Sequence, residues 1–310
     1  MTTQFSLDDF KAAKARLSSY IRQTPTMDIQ LDDGRNISLK LENLQISGSF
    51  KIRGALNTVL GLSKNELNRG LVTASGGNHG MGVAIAGALT QTPTTIYLPK
   101  NTPQSKINKL KSITSDVIVS GEVWDDANAL ALEAAAKEGK TYIHPFAAKS
   151  VIEGQGTVGL EFLESVPDLD VLMVAIGGGG LISGVASAAK LINPDIRIIG
   201  IEAVGAPTLY ESCKAGKLVT LERITTRAGT LAPRKSADLN LEIISHHVEE
   251  IVLVEDSDME IASKWLWSSC GIATELSAAA AIAALQTEKF KTNKNDKIGV
   301  IICGAGLDGF

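Results

Sequence analysis

The chain has 310 residues, 44% of them hydrophobic and 21% charged, with a net charge of −4. That length suits one large or two medium domains, and a pI near 5.7 leaves no electrostatic footprint for nucleic acid. No apolar run reaches membrane-spanning length without a polar interruption and the start lacks the pattern of a secretory or transit segment, so a cytoplasmic, enzyme-sized globule is expected.

In chain order, the alternating "NISLKLE" (36–42) reads as an edge or N-terminal strand. Short, continuously apolar runs follow at 71–74, 94–98, 116–120, 171–176, 196–202, 250–255 and 297–303. Helical stretches lie between them, among them "GMGVAIAGAL", "VWDDANALALEAAAKEGK", "VIEGQGTVGLEFLESV" and "LISGVASAAKLI". Buried strands alternating with helices define an α/β fold with largely parallel sheet covered on both faces. Cys213, Cys270 and Cys303 are scattered, which gives neither a disulfide framework nor metal spacing.

Lys51, in "SGSFKIRGAL" (47–56), sits between Phe50 and Ile52 at the start of a helical stretch. An ammonium in apolar surroundings must find a partner or lose its proton. Two strand-to-helix junctions carry glycines, at the place where open α/β sheets bind ligands. In "VLMVAIGGGGLISG" the run Gly177, Gly178, Gly179, Gly180 can converge backbone N–H groups at a helix N-terminus, a cradle for phosphate. One glycine would serve a tight turn; four argue for close backbone approach. No Lys-Ser/Thr follows, so this is not a P-loop. In "ASGGNHG", Ser75, Gly76, Gly77 and Asn78 form a small polar turn before a helix starting near His79. Such a turn suits a carboxylate or a phenolate-type oxygen, or simply a helix cap.

A dinucleotide reading competes. Gly178, Gly180 and Gly184 follow a strand and Glu202 ends the next one, where an acid could hold a ribose hydroxyl of NAD. That reading leaves Lys51 and the first glycine turn without a role. A lysine nucleophile, a phosphate cradle and a polar turn at separate strand ends suit pyridoxal 5'-phosphate instead.

The segments "SGSFKIRGA", "ASGGNHGMGVA", "GQGTVGLEFLE" and "GGGGLISG", with "RQTPT" (22–26) and "IICGAG" (301–306), occur in order over nearly the whole chain. Together they resemble the fold-type II pyridoxal-phosphate enzymes, in the serine/threonine dehydratase and serine racemase branch. The resemblance implies that Lys51 is the Schiff-base lysine with Phe50 beside the ring, and that Asn78 bonds the phenolic oxygen. It also implies that Ser75, Gly76, Gly77 and His79 frame the substrate carboxylate, that Gly177 to Gly180 hold the phosphate, and that Cys303 stands beside the pyridine nitrogen. A thiol there cannot hold a pyridinium as a carboxylate would, so the ring is a weaker electron sink. Loss of the Cα proton is then coupled to loss of a β-substituent. The implied reaction is β-elimination of water from an L-β-hydroxy amino acid of serine or threonine type, giving a 2-oxo acid and ammonia. Racemisation and 3-hydroxyaspartate dehydration are the alternatives on the same cofactor.

Departures from the family pattern sharpen this. Racemases of the family carry a serine, an acid on the face opposite the lysine, where this chain has Gly76. Members that bind a divalent cation use a glutamate, a carbonyl and an aspartate; Glu202 and Ala206 match, but Thr208 replaces the aspartate, so no metal is expected. Gly304-Ala305-Gly306 replaces the usual Gly-Gly-Asn, and Glu275-Leu276 the usual Glu-Pro. Arg227, Arg234 and Lys235 form a basic segment that could meet an acidic substrate but reads better as solvated surface. The expected architecture is a smaller domain over 45–145 with the Asn78 turn and a larger one from 1–44 and 146–310 with the phosphate loop. The resemblance implies a homodimer or larger homo-oligomer acting on a small amino acid.

Overall fold

Ten strands form two sheets in the computed structural model, which describes residues 5–114, 116–293 and 295–309. They are β1 (Thr26–Gln30), β2 (Asn36–Leu41), β3 (Leu71–Ala74), β4 (Thr94–Leu98), β5 (Asp116–Val119), β6 (Thr141–Tyr142), β7 (Val171–Ala175), β8 (Arg197–Ala203), β9 (Glu250–Val254) and β10 (Ile298–Ile302). The larger sheet runs β1-β2-β10-β7-β8-β9 and the smaller β5-β4-β3-β6. All neighbours pair in parallel except β1 with β2. The segment at 36–42 is therefore not the edge: β1, whose mixed polarity hides it in the sequence, takes that place, with Thr26 opposite Lys40. Polar β1 suits a solvated edge, whereas β7 and β10 are buried at every position, as continuous apolar runs must be inside a two-faced sheet.

The larger sheet is sandwiched by helices. The alanine-rich helix Leu276–Gln286 is buried from Leu276 to Leu285 and packs on β7, β8, β9 and β10, while Gly180–Ile192 lies against β7 and Lys149–Ser165. Each fully buried leucine, isoleucine or valine in this core contributes about 1.5–3 kcal/mol. Gly184 belongs to that packing. A Cβ there would lie 2.4 Å from the Ile152 carbonyl oxygen, so the residue serves helix contact and not a dinucleotide.

The helix that starts at Lys51 (Lys51–Leu60) packs on Asn78–Leu89 on one side and on Lys149–Ser165 on the other. Its anchor is Arg53, fully buried, which places all five of its donors. Nε and Nη2 reach the two carboxylate oxygens of Glu42 at 2.7 and 2.8 Å, Nη1 and Nη2 those of Glu161 at 2.8 Å each, and Nη1 also Thr157 Oγ1 at 3.1 Å. Lys40 Nζ completes the cluster on Glu161 (2.8 Å) and on the Thr24 carbonyl (2.7 Å). Two cations and two carboxylates thus sit together out of water, with charge balanced and the guanidinium donors met, the condition under which buried ions persist.

Candidate active site

The cleft is assembled from chain segments some 250 residues apart. Residues 48–50 run antiparallel to 303–305: Ser49 bridges Gly304, the Phe50 N–H donates to the Cys303 carbonyl at 3.1 Å, and the Ala305 N–H to the Gly48 carbonyl at 2.8 Å. This short pairing carries the start of the lysine helix to the C-terminal end of β10. The resulting cleft is lined by Phe50, Lys51, Asn78 and Cys303. Gly177, Gly178, Gly179, Gly180 and Leu181 line it too, with Thr230, Leu231, Glu275 and Ser277. Every residue expected to hold the cofactor lies on its wall.

Lys51 Nζ stands 5.1 Å from the Phe50 ring centroid and donates to the Pro145 carbonyl at 2.8 Å. Burial lowers its pKa to about 8, against a smaller opposing pull from Cys303 and Glu275. A sizeable neutral fraction therefore exists at ordinary pH, as a nucleophilic amine requires. Cys303 is 3% exposed, and burial, then the Glu275 carboxyl, push its thiol far above the ordinary range. It stays protonated.

The four glycines answer the question their spacing raised in an unexpected way: the close approach is to the chain itself. A Cβ on Gly177 would meet the Thr230 carbonyl at 2.6 Å, and on Gly178 the Phe146 ring at 2.2 Å. On Gly180 it would meet the Phe146 carbonyl at 2.7 Å, while Gly179 has φ +91° with Leu209 and Asn240 beside it. From behind, Ser236 Oγ (3.0 Å) and Asn240 Nδ2 (2.6 Å) hold the Gly178 carbonyl. The loop is thereby turned so that the N–H groups opening helix Gly180–Ile192 remain for an anion.

Of the polar turn, only Asn78 lines the cleft. Its Nδ2 donates to Glu275 Oε1 and Oε2 at 2.9 and 3.0 Å. Ser75, Gly76 and Gly77 are half-buried beside it, with Ser75 Oγ accepting from the Gly77 N–H at 3.3 Å. The His79 imidazole turns into the core, where Nε2 lies 3.1 Å from Thr73 Oγ1 and 2.9 Å from the Ile143 carbonyl oxygen. Burial, then the charge of Lys51, lower its pKa to about 3, so any contact of position 79 with a substrate falls to its main chain.

Three expectations resolve outside the cleft. The Glu202 carboxylate accepts from the backbone N–H groups of Leu209 (2.9 Å) and Tyr210 (2.8 Å) in the first turn of helix Thr208–Ala215, so it neither faces a ribose site nor stands free for a cation. The dinucleotide reading fails on both Gly184 and Glu202. Arg227 pairs with Asp256 and Glu260 at the surface, and Arg234 Nε donates to the Leu221 carbonyl.

Sequence reasoning missed Glu275, Thr230, Ser277 and the Pro145 carbonyl. Glu275 had a signal in the altered Glu-Leu pair. It is fully buried, its pKa is raised by burial, and hydrogen bonds from Ser277, Asn78 and Thr230 work against that rise. It also explains Gly304, where a Cβ would lie 2.4 Å from Glu275 Oε1. A main-chain oxygen such as that of Pro145 leaves no mark in a sequence.

A lysine of lowered pKa, a glycine-lined anion cradle, an amide and a protonated thiol around one cleft define a pyridoxal-phosphate enzyme of fold type II. The chain belongs to that family: the family model described as "Pyridoxal-phosphate dependent enzyme" matches residues 17–304. It is 37% identical over 306 residues to an L-threonine ammonia-lyase of Thermotoga maritima, covering 98% of this chain and 76% of that one. It is likewise 37% identical to a serine racemase of Oryza sativa subsp. indica, covering 97% and 91%. The structure of maize serine racemase superposes with a TM-score of 0.93 at 36% identity, over 99% of this chain and 95% of that one. Lys51, Asn78, Gly177 to Gly180 and Cys303, the residues expected to hold the cofactor, all line this cleft.

Proposed function

We propose that the protein eliminates water from L-serine or L-threonine, releasing the corresponding 2-oxo acid and ammonia. The observation that carries the reading is that Lys51, whose amine has a pKa lowered to about 8, and Cys303, whose thiol stays protonated, line one cleft with Asn78 and the glycine loop. Bound there, pyridoxal phosphate supplies the sink for the electrons of the Cα–H bond. Lys51 takes the Cα proton from its own face, and Asn78, oriented by Glu275, binds the ring oxygen. The glycine-loop N–H groups hold the phosphate, and Cys303 leaves the ring nitrogen without a full positive charge. With the cofactor held there, transfer of the Cα proton to Lys51 would be coupled to loss of the β-hydroxyl, the two leaving as water; hydrolysis of the released enamine would return one water and free ammonia, so the net change balances.

Racemisation would need an acid on the far face, where Gly76 has no side chain. An acidic substrate would need a cation in the cleft, and Arg227 and Arg234 are engaged elsewhere. The same reading takes residues 45–145, with the smaller sheet, as one domain and 1–44 with 146–310 as the other, Lys51 lying at their junction. It places the enzyme in the cytoplasm as a homodimer or larger homo-oligomer, without nucleic-acid or membrane partners; no described helix is long and apolar enough to cross a membrane.

The test is oxo acid and ammonia release by the cofactor-loaded protein from L-serine, L-threonine and both 3-hydroxyaspartate diastereomers, with D-serine followed by chiral analysis. Equal amounts of oxo acid and ammonia from L-serine or L-threonine are expected. D-serine without elimination, or turnover of 3-hydroxyaspartate alone, would overturn the assignment.

A further inference from the structure

Neighbouring glycines of the polar turn differ sharply in the space around them. A Cβ on Gly77 would meet nothing within 4 Å, whereas one on Gly76 would lie 2.9 Å from Thr102 Cγ2 and 3.4 Å from both Thr102 Oγ1 and Leu98 Cδ2. Contacts of 2.9 Å are not made by real Cβ atoms, so one partner must move. Leu98 ends β4, is fully buried and pairs its strand with β5. Thr102 is half-buried in the loop after it, its N–H bonded to the Pro99 carbonyl at 3.0 Å and its carbonyl side fixed by Pro103. A β-branched residue before proline is stiff in both side chain and backbone. Cγ2 and Oγ1 take the two directions that face position 76, so a staggered rotation can place hydrogen in only one of them and always leaves a heavy branch in the other.

We propose that Thr102 determines reaction specificity by filling the place a side chain at position 76 would need. It thereby keeps the face opposite Lys51 free of any proton donor from that position. The proposal rests on the elimination reading above and adds its cause: Gly76 is not merely a missing serine but one half of a packed pair. It follows that a serine placed at 76 cannot take up a productive position until Thr102 is made smaller.

Two readouts test this. In a thermal double-mutant cycle, Gly76→Ala alone should lower Tm by about 3 °C, the size expected of one overpacked methyl in a chain of this length. In the Thr102→Ala background the same change should cost less than about 1 °C. Equal losses in both backgrounds would overturn the packed pair. With cofactor-loaded protein and L-serine, D-serine formed per oxo acid should rise at least ~10-fold in Gly76→Ser/Thr102→Ala over either single variant, about 1.4 kcal/mol of preference. An equal rise in Gly76→Ser alone, or none in the double variant, would overturn the specificity role. Thr102→Val, which keeps the shape and removes the hydroxyl, should hold the wild-type ratio; a changed ratio would make the hydroxyl itself the acting group and overturn the steric account. If the wild type eliminates nothing, the elimination reading fails, while the thermal cycle still decides whether Thr102 closes position 76.

Discussion

Replacing Arg53 by methionine removes one charge from a cluster that has no water to replace it. Glu42 is 0% exposed and the Glu161 side chain 5%, and the guanidinium supplies four of the hydrogen bonds to their carboxylates. Lys40 remains to balance one carboxylate, so the other is left buried and uncompensated, which costs about 3–5 kcal/mol. Charge, not shape, should dominate that loss. Arg53→Met combined with Glu42→Gln deletes one cation and one anion and leaves the Lys40–Glu161 pair intact at 2.8 Å. This double variant should therefore be more stable than Arg53→Met alone, by about 2 kcal/mol or more. Arg53→Lys, with three donors on a flexible stem in place of a five-donor fork, should still lose about 2 kcal/mol. Urea unfolding at pH 7, followed by both fluorescence and the visible band of the lysine-bound cofactor, reads all three. A double variant no more stable than the single one would refute the electrostatic argument. Full stability in Arg53→Lys would refute the requirement for the fork.

Attachment of pyridoxal phosphate to the apoprotein should accelerate about tenfold per pH unit below pH 8 and level off above it, because burial lowers Lys51 to about 8 and only its neutral form attacks. A midpoint near 10.5 by stopped-flow absorbance would show an ordinary exposed lysine. Gly178→Ala, whose Cβ would enter the Phe146 ring at 2.2 Å, should displace the phosphate loop and weaken cofactor affinity at least about tenfold by equilibrium dialysis, with Gly77→Ala as the unaffected control. Burial raises Glu202 to about 8, with the Leu209 and Tyr210 N–H groups opposing it. Its folded form thus holds a proton that the unfolded chain has lost, so stability should fall as pH rises from about 4.5 to 8, and Glu202→Gln should flatten that slope in unfolding titrations. Chelation or added Mg²⁺ should leave Tm within about 1 °C, since those same N–H groups already take the carboxylate.

The parts of the site legible in the sequence are those in which one short segment carries both the residue and its local setting. Lys51 opens its helix directly, and the glycine run and the Asn78 turn each join a strand to a helix, so periodicity and turn chemistry located all three. What stayed hidden depends on partners distant in the chain. Arg53 lay inside the recognised "FKIRGA" without a role because its carboxylates are 11 and 108 residues away. Glu275 reaches Asn78 across 197 residues. The glycine run lines the cleft as expected, but its spacing has a further reason, since Phe146, Thr230 and Asn240, which demand those glycines, come from three other segments. β1 and β6 were missed because one is a polar edge and the other only two residues long, too short for any period to register.

Lys51 and Arg53 lie two positions apart on one helix, Arg53 buried and Lys51 half-buried in the cleft wall, and yet their proton affinities move in opposite directions. Desolvation penalises both cations, so burial alone cannot distinguish them. The difference is in what each donor meets. Arg53 delivers five N–H groups to two carboxylates and a hydroxyl, and the attraction exceeds the cost of burial, so its pKa rises. Lys51 is offered one neutral carbonyl, that of Pro145, while Glu275, the nearest carboxyl, is itself made reluctant to ionise by burial. Moving a carboxylate next to Lys51 would raise its pKa and shrink its nucleophilic fraction; moving one away from Arg53 would unfix the helix that aims the lysine. The fold keeps an ionised anchor and a more easily deprotonated nucleophile within a turn of each other by giving the paired carboxylates to the anchor.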